Sequence, residues 1–347
     1  MNGTHAVVVD APGRALLAPH TPAVPGPGEA LVRVHAVGVC GSDREVFHGT
    51  RPEGFVQYPL TPGHEWSGTV EAVGNGVPGH VVGRKVVGEG FRNCQMCDRC
   101  HRGETTLCAA GYDETGFTRP GAMAPTLTLP ARLLHLLPDD ADLTAAALLE
   151  PAACAAAAAL QAGVRPGDRV AVVGTGALGL LAVQLLAATS PAELTVLGIH
   201  AARSDLARTF GATTYRCAGQ DDSITRSTGA FDVVVEAAGA AGSAAGAAAM
   251  VRRGGRLVLA GIPAAGAVGL DPTDLVVRNL DVRTVFGATS AAWAHAVHAF
   301  AAGIMDPLPL VTHRLTLAQF ENAVALAEGT DPAAAKVLLF PHPDDAV

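Results

Sequence analysis

Val170-Ala171-Val172-Val173-Gly174-Thr175-Gly176-Ala177-Leu178-Gly179 is an apolar run that feeds directly into a G-x-G-x-x-G loop. The residues that follow, 177–188, carry the apolar spacing of a helix. Glycine pairs also serve ordinary turns, so the loop alone says little; placed between a strand and a helix it reads as a dinucleotide fingerprint. Gly174 and Gly176 permit a tight turn and close backbone approach, and Gly179 permits close packing of helix on strand. A pyrophosphate would then sit on the helix N-terminus, with Ala177 and Leu178 opening that helix.

Further along the chain, strands alternate with helices. Residues 169–174, 194–198, 213–217, 232–236, 256–260 and 281–286 read as strands, five of them as the continuous apolar runs expected where helices cover both faces of a sheet. Six such strands with crossover helices predict an α/β, doubly wound parallel sheet. The end of the second strand bears on the cofactor. An NAD-selective site places Asp or Glu about 20 residues beyond the loop, on the ribose hydroxyls. Here the corresponding residue is Gly198, followed by His200 and Arg203. With no carboxylate to repel a 2′-phosphate and two basic side chains close by, the electrostatics favour NADP(H). NAD(H) is the alternative if His200 and Arg203 are solvated residues on an exposed turn.

Upstream, residues 5–138 are β-rich and turn-rich, with short apolar or alternating runs at 7–9, 30–39, 67–73 and 85–87. Residues 151–163 form an Ala-dominated helix ahead of the first nucleotide-domain strand. The last sixty residues, helical around 291–303 and then rich in Pro and Leu, are expected to rejoin the first domain, leaving a cleft between the two. The chain of 347 residues is long enough for two cores. Its net charge of −8 and lack of a dense basic stretch argue against nucleic acid. Its apolar stretches are broken by Gly and Pro and fall short of a membrane span. No secretory signal opens the sequence. Seven cysteines, four of them at metal spacing, suggest a reducing cytoplasmic setting.

Those four are Cys94, Cys97, Cys100 and Cys108, at C-x2-C-x2-C-x7-C. Four thiolates this close can converge on one tetrahedral Zn²⁺ that is closed to substrate, a structural site. The chemistry then has to lie elsewhere.

Cys40-Gly41-Ser42-Asp43, Gly63-His64-Glu65, the four-cysteine loop, the glycine loop and the split-domain order together resemble the zinc-containing alcohol dehydrogenases of the medium-chain dehydrogenase/reductase superfamily over essentially the full length. The resemblance implies a β-rich, GroES-like catalytic domain formed by 1–150 and 290–347 and carrying two zinc sites. It implies a Rossmann domain at 151–289. Catalytic zinc would be held by Cys40, His64 and a third ligand just before the linking helix. Glu150 stands there, with Cys154 as the competitor. Glu65 would coordinate directly or exchange with water. Asp43 would accept the second imidazole N–H of His64, or else cap a helix. Ser42 would exchange the substrate's hydroxyl proton, and Lys336 matches a family cation that approaches the pyrophosphate and the zinc-side Glu. The family's relay histidine is replaced by Glu45, with His48 close in sequence, so the proton's route to solvent stays open. The other histidines, among them His295 and His298 on one helix face, read as surface or packing residues.

By the same resemblance the substrate is a small alcohol or ketone. The Glu150-Pro151, Gly63–Gly68 and Gly116–Gly121 segments look most like those of sorbitol-type and aminocyclitol-biosynthetic enzymes. That favours a polyol, sugar or cyclitol, with Phe55, Trp66, Phe117 and Arg119 near the pocket. Gly287, where sorbitol-type relatives carry Arg, weakens the match. A biosynthetic carbonyl reductase working in the opposite direction, and a non-catalytic dinucleotide sensor, are the alternatives. The family also implies a homodimer or homotetramer.

Overall fold

The computed structural model describes residues 5–217, 227–263, 266–329, 331 and 333–346. The chain divides into two compact units, one formed by 1–150, 289–297 and 306–347, the other by 151–288 and 298–305.

The second unit is built on six parallel strands in the spatial order Thr214–Cys217, Glu193–Gly198, Arg169–Val173, Phe231–Glu236, Val251–Leu259 and Asp281–Thr284. Numbered along the chain, that order is 3-2-1-4-5-6, the doubly wound arrangement whose strand order reverses beside the first strand. Val170, Ala171, Val172, Val234 and Val235 are fully buried, as a sheet covered on both faces requires. The fifth strand starts five residues earlier than the apolar run at 256–260 suggests. Val251 already pairs with Phe231, and an irregularity in the ladder between Phe231 and Val233 absorbs the polar, glycine-containing stretch Arg252–Gly255.

The first unit carries a seven-stranded sheet. Its path runs Val311–Thr316, Lys336–Phe340, Glu29–Val39, Glu65–Val73, Lys85–Gly88 and Leu134–Leu136, with Thr126–Pro130 also paired to Glu29–Val39. Strand Glu29–Val39 alternates buried and half-buried residues and then becomes wholly buried at Val37–Val39. Val32, Val34 and Val37 on that strand join Trp66, Phe117, Met123, Leu129 and Leu339 in one core. A separate two-stranded ladder pairs His5–Ala11 with Arg14–Pro19. Among its described residues, the Pro/Leu-rich C-terminal region contains two strands. Lys336–Phe340, buried along its whole length, enters the sheet antiparallel to Glu29–Val39, so Leu338 lies opposite Gly38.

Candidate active site

Strand Glu29–Val39 delivers the chain to Cys40, which is the N-cap of helix Gly41–His48. The Cys40 Sγ accepts the Ser42 backbone N–H at 3.3 Å, and the Cys40 N–H donates to Asp43 Oδ2 at 3.0 Å. The thiol therefore sits where the first turn of a helix presents its N–H groups. His64 is delivered by Gly63, whose φ of +103° and lack of Cβ let it lie against Met123 and Val37. Its Nε2 is 3.5 Å from Cys40 Sγ, and its Nδ1 faces Asp43 Oδ1 at 3.6 Å. Asp43 thus does two jobs, one oxygen capping the helix and the other facing the imidazole, and it is completely buried. Burial alone would lower the His64 pKa, but the charges of Cys40 and Asp43 outweigh it and hold the ring well above its ordinary 6.5. Ser42 is half-buried beside them.

Ligand atoms of Cys40, His64 and Glu65 all lie within 4.8 Å of one another. A sulfur about 2.3 Å and a nitrogen about 2.0–2.1 Å from one tetrahedral centre stand roughly 3.5 Å apart, which matches the Cys40–His64 separation. Glu65 is buried with Lys336, its Oε2 in contact with the ammonium. Room for this pair comes from Gly38. A Cβ there would fall 2.1 Å from Glu65 Oε2 and 3.0 Å from Lys336 Cε. Glu150 lies outside the 4.8 Å group. Helix Leu149–Ala162 begins two residues before the Ala run, so Glu150 occupies its first turn rather than the preceding loop. Desolvation pushes its carboxyl up to about 7, with His64 and Lys336 pulling it down and Glu65 and Glu114 pushing it further up.

Three residues absent from the sequence reading stand around Phe117. Its ring centre is 4.7 Å from that of His64, and Arg51 stacks on it at 3.8 Å. Arg51 donates to Tyr112 Oη at 2.9 Å and to Glu45 Oε2 at 3.3 Å, while the Tyr112 hydroxyl donates to Glu114. Phe55 joins this group through its ring contact with Tyr112. The other two expected pocket residues have partners of their own. Trp66 is a core residue packed over Gly88, and Arg119 is exposed and paired with Asp113. Glu45 is engaged by Arg51, and His48 by Glu328 at 2.5 Å.

Cys94, Cys97, Cys100 and Cys108 form the second ligand group. Cys94 Sγ and Cys100 Sγ are 3.9 Å apart, close to the roughly 3.8 Å edge of a tetrahedron of sulfurs about 2.3 Å from its centre. The N–H groups of Ala109 and Cys100 hold the Cys97 thiol down to about 6, whereas desolvation pushes Cys100 up to about 12.

In the second unit each glycine of the loop has a distinct task. Gly174 adopts φ +117°, and a Cβ on it would meet Ala238 N at 2.8 Å; a Cβ on Gly179 would lie 2.2 Å from Gly174 O. Gly176 caps helix Ala177–Ala187 without a side-chain bond to its N–H groups, and a Cβ there would face open space. That is the shape of an anion site at a helix N-terminus. Ala177 and Leu178 are half-buried at its first turn. Gly198 is confined: a Cβ would fall 2.3 Å from Tyr215 Oη and 2.6 Å from Thr175 Cγ2. Tyr215, unmarked in the sequence reading, donates to His200 O at 2.6 Å. His200 is exposed, and Arg203 is half-buried, with burial pulling its pKa down.

A doubly wound dinucleotide sheet joined in one chain to a β-rich unit holding two metal-ligand groups defines a zinc-type dehydrogenase. Comparison with known proteins agrees. Residues 26–139 match the alcohol dehydrogenase GroES-like domain, and 145–334 match the glucose dehydrogenase C-terminus. The chain belongs to the zinc-type alcohol dehydrogenase family of the medium-chain dehydrogenase/reductase superfamily, a family of oxidoreductases. It is 30% identical to sorbitol dehydrogenase of Bacillus subtilis (strain 168) over 317 residues, 88% of each chain. It is likewise 30% identical to L-threonine 3-dehydrogenase of Deinococcus deserti over 291 residues, 82% of this chain and 84% of that one. Among solved structures, one from Sinorhizobium meliloti 1021, bound to NADP, superposes with a TM-score of 0.91 at 27% identity, covering 98% of this chain and all of that one. No helix among the described residues is long and apolar enough to cross a membrane.

Proposed function

We propose that this chain is a zinc-dependent, NADP(H)-preferring dehydrogenase that interconverts a secondary alcohol and a ketone on a small, polar, polyol-, sugar- or cyclitol-like substrate. The observation that carries the reading is the Cys40 Sγ–His64 Nε2 separation of 3.5 Å with the buried Asp43 carboxylate behind the ring. Cys40 and His64 would hold the catalytic ion with Glu150 as third ligand, while Lys336 holds Glu65 as an exchanging carboxylate. A buried carboxyl pushed up to about 7 is one that a cation would return to its ionised form. Cys94, Cys97, Cys100 and Cys108 would hold a second, structural ion. Zinc would supply a Lewis acid for the carbinol or carbonyl oxygen, and the nicotinamide would supply or take the hydride.

The rest falls to the protein's own groups. Asp43 fixes the His64 tautomer by standing at Nδ1, leaving Nε2 as the ligand atom. Ser42 Oγ exchanges the hydroxyl proton. The N–H groups behind Gly176 take the pyrophosphate, and Arg203 with His200 meets the 2′-phosphate. Support for NADP(H) comes from the missing carboxylate at Gly198 and from the NADP-bound relative. Support for a polar secondary alcohol comes from the sorbitol and threonine dehydrogenases, both named for substrates in which a secondary hydroxyl has a polar neighbour. A homo-oligomer in the cytoplasm is the setting we infer.

The test is turnover of secondary alcohols with NADP⁺ by the zinc-loaded protein. Cys40→Ser is expected to abolish it while leaving the fluorescence titration with NADPH unchanged. If Cys40→Ser retains full turnover, the site is not catalytic. If NADH binds more tightly than NADPH, the cofactor reading is wrong.

A further inference from the structure

Glu236 is a carboxylate 1% exposed inside the nucleotide unit, and the chemistry above gives it no task. It ends strand Phe231–Glu236, where it pairs with Val173 of the first strand on one side and Leu259 of the fifth on the other. That is the carboxyl end of the sheet, beside the point where the strand order reverses, and ligands of doubly wound sheets bind there. The side chain turns back toward the loop that follows it. Its Oε1 accepts the N–H of Ala238 at 2.8 Å and that of Gly239 at 2.9 Å.

The sheet alone does not require this arrangement. The Ala237 N–H is taken by Val173 O at 2.8 Å, but Ala238 is exposed, and water can satisfy the N–H groups of an exposed loop. Burying a carboxylate is costly by comparison. What the carboxylate provides and water does not is a loop of fixed shape.

That loop lies directly on the glycine loop. A Cβ on Gly174 would stand 2.8 Å from Ala238 N and 2.9 Å from Ala237 C, so the two backbones meet with no room for a side chain. A Cβ on Gly261 would fall 2.4 Å from Gly239 N and 2.7 Å from Glu236 Oε2, and Glu236 O takes the Gly261 N–H at 3.1 Å. Residues 237–239 are therefore held by Gly174, by Gly261 and by the carboxylate. Gly174 in turn leads through Thr175 into Gly176, the N-cap of helix Ala177–Ala187.

We propose that Glu236 is a positioning residue for the dinucleotide. By holding the Ala238 and Gly239 N–H groups it sets Gly174, and through Gly174 the helix N-terminus that takes the pyrophosphate. The inference rests on the dinucleotide reading of the glycine loop. An uncharged side chain that keeps the acceptor should preserve most of the effect, and one of similar length without an acceptor should lose it.

Fluorescence titration with NADPH is expected to show Glu236→Met weakened about 10- to 100-fold, the worth of hydrogen bonds to a charged group, and Glu236→Gln within about threefold of wild type. Adenosine 2′-monophosphate, which has the 2′-phosphate but no pyrophosphate, separates positioning from general damage. In competition with NADPH it should bind Glu236→Met and wild type alike. Undiminished NADPH binding by Glu236→Met would overturn the proposal. So would Glu236→Gln as weak as Glu236→Met, or equal losses of NADPH and the mononucleotide. Hydrogen–deuterium exchange of the wild type depends on no variant. The Ala238 and Gly239 amides are expected to be protected before any dinucleotide is added. Free exchange there, slowed only by NADPH, would mean that the ligand orders the loop, and the proposal would fall. A failure of the dinucleotide reading would appear separately, as a wild type that binds neither NADPH nor NADH.

Discussion

At Gly38 the missing Cβ is what lets two charges meet inside the protein. Glu65 lies opposite that residue in one flanking ladder, Lys336 stands on the strand paired along the other side, and a methyl group at Gly38 would overlap both side chains. Gly38→Ala is therefore expected to displace the pair and depress turnover, and Lys336→Met to strand a buried carboxylate. Breaking a buried pair by removing one partner costs about 3–5 kcal/mol, readable in denaturant unfolding of the Met variant. The pH dependence has a definite sign. Burial lowers the Lys336 pKa, but Glu65 and Cys40 outweigh it, leaving it above the ordinary 10.5. A raised folded pKa means that the contribution is fully present below 10.5 and fades as pH rises through the higher folded value. The stability gap between wild type and Lys336→Met should hold constant from pH 7 to 10 and narrow only beyond. A gap that narrows near neutrality would contradict this. His64 gives a second residue-level prediction. Its proton is held to well above pH 6.5, so a zinc ion binding there would have to displace it. Zinc affinity at this site should fall about tenfold per unit that the pH is lowered, for each proton displaced, measurable by chelator competition between pH 6 and 8.

In the proposed function, the strand–loop–helix at Arg169–Ala187 and the strand ends beside it select the cofactor. Arg203→Ala is expected to weaken NADPH about 10- to 100-fold, the worth of a charge-assisted hydrogen bond, and NADH hardly at all, in parallel fluorescence titrations. Equal effects on both would remove Arg203 from the phosphate site. Gly198→Asp is a poor probe of the same question, because Tyr215 and Thr175 already fill the space a side chain would need. These elements also show why some of the fold was legible and some was not. The inner strands Arg169–Val173, Glu193–Gly198 and Phe231–Glu236 are buried along most of their length, so they announce themselves as apolar runs, and the glycine loop is telling because it stands between a strand and a helix. Thr126–Pro130 and Val311–Thr316 carry no such pattern; they are strands because Glu29–Val39 and Lys336–Phe340 offer them an edge. Cys40 and His64 stood out through their neighbours in the sequence. Glu114, Tyr112 and Arg51 did not, because they are brought together by the close approach of Gly116 and Gly121 to Pro62–His64, which leaves no periodicity to read. Tyr215 escaped notice for a similar reason, since it reaches Gly198 from the neighbouring strand, where its own ladder partner is Val196.

Over the whole molecule, the proposed function has the two ligand groups divide the work between chemistry and folding. The cysteine loop at 94–108 has little regular structure, only the short helices Asp98–His101 and Thr105–Leu107, so four thiolates on one ion would be its principal constraint. Cys97→Ser is expected to release that ion and lower the melting temperature by roughly 5–10 °C, followed by differential scanning calorimetry, with NADPH affinity unchanged. His64→Ala should do the reverse, ending turnover with a far smaller thermal shift. The most direct test of the account is the number of zinc ions per chain, read by native mass spectrometry on the wild type and on His64→Ala. Two ions in the wild type and one in the variant are predicted. A single ion in both would mean that only the cysteine loop binds metal and that Cys40 and His64 are not a zinc site.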